Sequence, residues 1–139
     1  MKKPRLLILL AAALLLLNLA GCGPHSLNAA GTVHELCKRN LNGESFAELC
    51  DQTLSPDVLD GFFDGVIDAG GQYVVIPDGA AIYRTLEGGD PSLDENTLCV
   101  GVYAGTNKLH INAQGYAMVR YDPGSEACRV TDLVLQPVE

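Results

Sequence analysis

A short apolar run near the start of the chain limits what the rest can form. Residues 6–17 contain only Leu, Ile and Ala, and the five residues before them carry three positive charges and no negative one. A helix of these twelve residues is about 18 Å long, whereas a spanning helix must cross roughly 30 Å of hydrocarbon. The pattern is typical of a secretory signal peptide that is removed during export. The folding unit is then the remainder, which has the size of one small domain.

The apolar segment ends in a specific motif, Leu19-Ala20-Gly21-Cys22. This tetrapeptide matches the lipobox, so the beginning of the chain resembles that of bacterial lipoproteins. In that family the sulfur of the cysteine takes a diacylglycerol, which requires a thiol nucleophile, and cleavage makes the cysteine the new N-terminus. The resemblance implies that Cys22 is the lipidated residue. Two or three acyl chains, at about 0.8 kcal/mol per buried CH₂, give a stable membrane anchor.

The residue after the anchor bears on the location of the protein. In lipoproteins of bacteria with two membranes, an aspartate at this place tends to retain the protein at the inner membrane, but here the residue is Gly23. The resemblance therefore implies the outer membrane, facing the periplasm, or the outer face of the cell membrane in an organism with one membrane. We predict a signal peptide over 1–21, a flexible tether over 22–30 and a single small domain over 31–139.

The charge of the processed chain excludes some partners. Three of the nine basic residues leave with residues 1–21, and the remaining six against seventeen acidic residues give a net charge of about −11. Phosphates of nucleic acids and anionic lipid headgroups would be repelled by such a surface. We expect membrane contact through the lipid on Cys22 alone, no nucleic-acid partner, and a protein partner. The acidity of the domain either serves solubility or suits a partner of basic character.

Four cysteines follow the anchor: Cys37, Cys50, Cys99 and Cys128. An exported domain folds under oxidising conditions, so an even number of cysteines predicts two disulfides. Three pairings are compatible with four cysteines, and the sequence does not choose among them. The turn signal at Asn42-Gly43 favours a bridge from Cys37 to Cys50 across a helical hairpin. Cys99 and Cys128 would then join two strands.

Helical spacing of apolar residues dominates the first half of the domain. It predicts one helix from Thr32, a second short helix over 45–50, and a third that begins at Ser55-Pro56-Asp57 and ends at Gly70-Gly71. Ser suits the N-cap, Pro the first turn, and Asp the positive end of the helix dipole.

Strand and turn patterns follow from Tyr73 onward. Alternation and turn residues predict six strand segments, which cover 73–76, 81–86, 97–104, 108–113, 116–121 and 127–135. We therefore predict an α+β fold, with two or three N-terminal helices packed on an antiparallel meander of five or six strands.

Two groups of carboxylates are candidate partner-binding residues. Asp60, Asp64 and Asp68 recur on one side of the third helix, where they form either a binding face or an ordinary solvated one. Asp90, Asp94 and Glu95 lie in a long acidic loop, and long loops on rigid scaffolds often carry binding. Calcium is not predicted at this loop, because its oxygen ligands lack the spacing of the twelve-residue calcium loop. Zinc is not predicted at His34 and Cys37, because no Cys-x-x-Cys accompanies them.

The sequence contains no Gly-x-Ser-x-Gly motif and no phosphate-binding glycine loop. We therefore expect a non-enzymatic protein without metal or cofactor. Our interpretation is a membrane-anchored periplasmic lipoprotein that acts by protein contacts in the cell envelope. One alternative is an inhibitor or immunity protein that binds a basic exported enzyme or toxin. Another is a small-ligand carrier with a pocket between sheet and helices, lined by Phe62, Tyr103 and Met118.

Overall fold

The structure, a computed structural model, describes residues 26–138. Its elements are α1 (Ser26–Leu41), a 3₁₀ turn (Ala47–Leu49), α2 (Pro56–Ala69), β1 (Gln72–Ile76), α3 (Ala80–Glu87), β2 (Thr97–Asn107), β3 (His110–Asp122) and β4 (Ala127–Pro137). The strands form one antiparallel sheet in the order β1-β2-β3-β4. The fold is therefore mixed α+β. The lipobox, with Cys22, lies outside the described residues.

Helices α1 and α2 cover one face of the sheet, and α3 lies on the other. Val100 and Val102 of β2 belong to the core beneath α1 and α2, whereas Gly101 between them lies against Ile82 of α3. This division follows from the alternation of side chains along a strand. The fully buried side chains of largest volume are those of Leu36, Val33, Val100, Val102, Val119, Val130 and Cys37.

Helix α1 begins earlier than the sequence predicts. Residues 26–30, which we expected in the tether, form its first turns, and Ala29 and Ala30 are buried there. These two alanines extend the stripe of Val33, Leu36 and Cys37 by one helical turn, so their burial continues the same apolar face. Helix α1 thus includes residues from Ser26 onward.

Helix α2 forms where the sequence predicts it. Ser55 Oγ accepts a hydrogen bond from the backbone N–H of Val58 at 3.2 Å, which caps the first turn, and Pro56 occupies the first helical position. Gly70 ends the helix with φ of 137°, and a Cβ added to it would lie 2.5 Å from the backbone of Gly105. Glycine is therefore needed at this position both because the backbone has a positive φ and because there is no room for a side chain.

The prediction of five or six strands is wrong, because the described sheet has four. Residues 81–86 belong to α3 instead. Asp78 accepts a hydrogen bond from the N–H of Ala80 at its start, and Ile82 packs on the flat patch at Gly101. The apolar alternation in this stretch thus reflects one buried helical side chain, and tertiary packing overrides the local β pattern.

The strands predicted over 108–113 and 116–121 are also one strand, β3, which begins at His110. The apparent turn at Gly115 is a strand position that pairs with Val102 on one side and Leu135 on the other. A Cβ added to Gly115 would lie 1.8 Å from the carbonyl oxygen of Val134. Glycine here permits close approach of neighbouring backbones, which is its other role inside strands.

The prediction of two disulfides is also wrong, because Cys37, Cys50, Cys99 and Cys128 are all free thiols. Strand β3 lies between Cys99 on β2 and Cys128 on β4. Two strand spacings amount to about 9–10 Å, beyond the roughly 7 Å between Cα atoms that a disulfide can join. The two side chains also lie on opposite faces of the sheet, since Cys128 contacts Thr32 of α1 and Cys99 is on the α3 side.

The helical hairpin expected to bring Cys37 to Cys50 does not form. Between α1 and Cys50 the described chain forms only the 3₁₀ turn Ala47–Leu49, and the backbone of Cys50 forms an isolated β-bridge with Val130 at the edge of β4. Cys37 instead faces the core, where burial raises the pKa of its thiol to about 12. This thiol therefore remains protonated at neutral pH and behaves as a small apolar core residue.

Candidate functional site

Two kinds of site are not found in the described part of the chain. Within residues 26–138, no helix has the length and apolar character needed to cross a membrane. Across the same residues, no three His, Cys, Asp or Glu side chains come together in a way that could hold a metal ion. The features that remain are charged surfaces, surface pockets and sheet edges.

The exposed side of α2 is a row of carboxylates, which we call the α2 acidic face and which consists of Asp57, Asp60, Asp64 and Asp68. It lies opposite the buried Phe62 and Val66. None of the four carboxylates makes an ion pair or side-chain hydrogen bond with another described residue. The structure thus places the three predicted helix residues together, on one surface and without counter-charges.

Three of these four carboxylates do not stabilise the helix. Asp60 and Asp64, and likewise Asp64 and Asp68, are like charges four residues apart, and each such pair disfavours the helix by about 0.2–0.5 kcal/mol. Asp68 lies in the last turn of α2, where the helix dipole favours cations, yet that turn holds no basic residue. Asp57 in the first turn favours the helix, but Asp60, Asp64 and Asp68 have no explanation in the stability of α2.

The α2 acidic face ends at a pocket between α2 and the sheet, which we call the α2–β4 pocket. It has a volume of about 160 Å³ and is lined by Gly65, Asp68, Ala69, Asn112, Ala113, Leu135, Gln136 and Pro137. Asn112 Nδ2 donates to the carbonyl of Ala69 at 2.7 Å, so this amide is engaged in ending α2. The pocket therefore combines mostly apolar walls with the carboxylate of Asp68.

The loop carboxylates lie elsewhere and have local structural roles. Asp90 pairs with Arg84 of α3 at 2.9 Å. Asp94 accepts hydrogen bonds from the Thr97 hydroxyl at 2.8 Å and the Asn96 N–H at 2.9 Å, and these donors lower the pKa of its carboxyl. Glu95 is exposed. The loop precedes β2, at the end of the sheet opposite the α2–β4 pocket, so the two candidate groups form no common site.

One charged cluster, formed by Arg120, Arg129 and Asp51, was not predicted from the sequence. Arg120 and Arg129 are directly opposite each other on β3 and β4, and Arg120 pairs with Asp51. Both arginines line two concave surface regions, which have volumes of about 480 and 370 Å³. Like charges directly across a strand pair are unfavourable, and Asp51 offsets part of this repulsion. The cluster joins the segment after the 3₁₀ turn to β3, which is a structural role.

Other residues named from the sequence are separated by the fold. Phe62 of α2 is buried in the core, whereas Tyr103 and Met118 lie on the α3 side of the sheet, so these three residues do not line a shared pocket. His34 contacts the ring of Tyr73 at 5.5 Å between centroids, while Cys37 faces the core.

Comparison with protein-family models, curated proteins and solved structures finds no match to this chain.

Proposed function

We propose that this protein is a lipid-anchored component of the cell envelope that acts by binding a basic protein partner, without catalysis. Its contact surface is the α2 acidic face together with the α2–β4 pocket. One observation carries the proposal. A row of carboxylates without counter-charges, three of which do not stabilise their helix, ends at a pocket with mostly apolar walls and one carboxylate.

The chemistry of this surface matches lysine and arginine side chains. Both have an apolar stem and a cationic end, so they can bury the stem while the charge stays near a carboxylate. The walls formed by Ala69, Leu135 and Pro137 suit the stem, and Asp68 suits the charge. The carboxylates farther along α2 would meet further basic residues of the same partner. Such complementary fields also speed the encounter of two proteins.

The anchor belongs to the same proposal. Cys22 carries the lipid, and only three residues separate it from the start of α1 at Ser26. Four extended residues reach at most about 14 Å, so a lipid on Cys22 would hold the domain close to the membrane. We place it on the outer membrane, facing the periplasm, or on the outer face of the cell membrane if there is one membrane.

The alternative of an inhibitor or immunity protein uses the same surface. Its partner would be a basic exported enzyme or toxin rather than an envelope component, so the identity of the partner separates the two functions. The ligand-carrier alternative has less support, because Phe62 lies in the core whereas Tyr103 and Met118 lie on the other face of the sheet, so the residues expected to line its pocket are not together.

Binding of a fluorescent oligolysine peptide to the full chain at low salt tests the proposal. We compare the triple variant D60N/D64N/D68N with E44Q/E95Q/E126Q. Both remove three negative charges, and the control glutamates are exposed and make no side-chain hydrogen bond or ion pair with described residues. We expect the α2 variant to lose about tenfold in affinity, as three exposed pairs of about 0.5 kcal/mol each imply. Equal losses in the two variants would show general attraction alone and would contradict the proposal.

A further inference from the structure

The two edges of the sheet differ in how they are covered. The edge of β4 is partly occupied, because Cys50 bridges to Val130 and the N–H of Asp51 donates to the carbonyl of Val130 at 2.8 Å. In the structure of residues 26–138, β1 pairs with β2 alone. The outward N–H and C=O groups of β1 therefore have no strand partner.

Strand β1 also lacks the features that usually prevent edge pairing. Its sequence is Gln-Tyr-Val-Val-Ile, without charge or proline, whereas protected edges carry lysine, proline or a bulge. The side chain of Val74, at its centre, is 39% exposed although it is apolar. An exposed, uncharged edge of this kind is suited to accept another strand.

We propose that the occupant is β1 of a second copy of this chain, paired antiparallel about Val74. This register places Val74 opposite Val74, and Tyr73 opposite Val75 twice. Aromatic and β-branched residues are favourable cross-strand neighbours. Because β1 is uncharged, the pairing brings no like charges together at the strands, although each processed chain has a net charge of about −11. A basic partner would gain no charge pairing at β1, which favours the second copy.

The resulting dimer is two-fold symmetric, and its sheet runs through both copies as eight strands, twice the four of one chain. The pairing does not depend on the α2 acidic face, which lies on another part of the molecule. If both copies are anchored in one membrane, their local concentration is higher and the pairing is favoured further.

Disulfide trapping in membranes tests this register with the full chain. Directly opposite residues of an antiparallel pair have Cα atoms about 4.5–5.5 Å apart, within the range of a disulfide. We expect V74C, after mild copper–phenanthroline oxidation, to shift on a non-reducing gel from the monomer to the dimer. Q72C serves as the control, because Gln72 is exposed and lies on the same face of β1, yet in this register it faces Ile76 of the second copy.

Co-expression of Q72C with I76C provides the second readout. Each variant alone should remain monomeric, whereas the mixture should give the dimer, because residues 72 and 76 face each other in the proposed pair. The wild-type chain sets the background from its native cysteines. Dimers that form equally in V74C and Q72C, or in neither, would overturn the proposal, and so would a mixture that stays monomeric.

Discussion

Asp51 joins two parts of the chain that lie 69 residues apart, through its pair with Arg120. Its carboxylate also accepts the backbone N–H of Thr53 at 3.0 Å and the Thr53 hydroxyl at 2.9 Å, and its side chain is only 11% exposed. The pKa of the Asp51 carboxyl is lowered to about 2. The largest cause is the hydrogen bond from the Thr53 N–H, followed by the one from the Thr53 hydroxyl and then by Arg120. The charged form of this residue is thus favoured by folding.

The lowered pKa of Asp51 predicts a pH dependence of stability. Because the folded pKa lies below the unfolded value, the stabilisation is fully present above about pH 4 and is lost as the pH falls from about 4 to 2. Urea unfolding across this range should show that the free energy of unfolding falls more steeply with decreasing pH in the wild type than in D51N, which lacks the titrating group. The same pH dependence of the free energy of unfolding in both proteins would contradict the role given to Asp51.

Single residues also show what the sequence can and cannot predict. The cap at Ser55 and the stop at Gly70 follow from local rules, and the structure confirms both. The pair of Asp51 and Arg120 depends on the approach of segments that are distant in sequence, for which no local pattern exists. The Asp60, Asp64 and Asp68 stripe was predictable from helical spacing, but the pocket beside Asp68 needed the positions of Leu135 and Pro137.

The sequence signals at the ends of α2 are sufficient to predict this helix, whereas α3 cannot be predicted in this way. Helix α3 has eight residues and one buried side chain, Ile82, so its periodicity is too short to distinguish it from a strand. Strand β3 contains Gly115, which resembles a turn residue until its close backbone neighbours are known. The strand count was wrong for these two reasons, whereas the α+β class and the antiparallel order follow from the longer patterns.

Two glycines one turn apart in α2 provide a matched pair of predictions. A Cβ at Gly61 would meet nothing within 4 Å, so G61A should raise the free energy of unfolding by about 0.5–1 kcal/mol. A Cβ at Gly65 would lie 3.0 Å from Leu135 Cδ2, in the α2–β4 pocket. We expect G65A to gain less stability, since Leu135 must move.

The same pair tests the pocket without a change in charge. Because G65A narrows the α2–β4 pocket, it should weaken oligolysine binding, whereas G61A should bind as the wild type does. Urea unfolding gives the stabilities, and fluorescence anisotropy gives the affinities. Equal affinity in G65A and the wild type would show that the pocket takes no part in binding.

The fold as a whole places each cysteine in an environment that composition does not reveal. Four cysteines in a chain that we expect to be exported predict disulfides, but Cys99 and Cys128 are separated by both a strand and the thickness of the sheet. The same sheet carries the proposed partner surface at α2 and the proposed dimer edge at β1. The lipid on Cys22 would bring both surfaces close to the membrane.

The anchor has its own test in the substitution C22S. Without the thiol no thioether to the lipid can form, so the protein should move from the membrane fraction to the soluble fraction. Mass spectrometry of the wild type should show loss of residues 1–21 and addition of acyl chains. C128S serves as the control and should remain in the membrane fraction. Membrane attachment and processing that are unchanged in C22S would contradict the lipid anchor.

Photocrosslinking in cells shows whether the α2 acidic face contacts a basic protein. A photoreactive amino acid replaces either Asp64 on the α2 acidic face or Glu95 in the loop of the full, anchored chain. We predict an adduct with a basic protein from position 64, its loss when D60N and D68N are added, and no such adduct from position 95. The absence of an adduct from position 64, or an adduct that persists without the neighbouring carboxylates, would contradict the account.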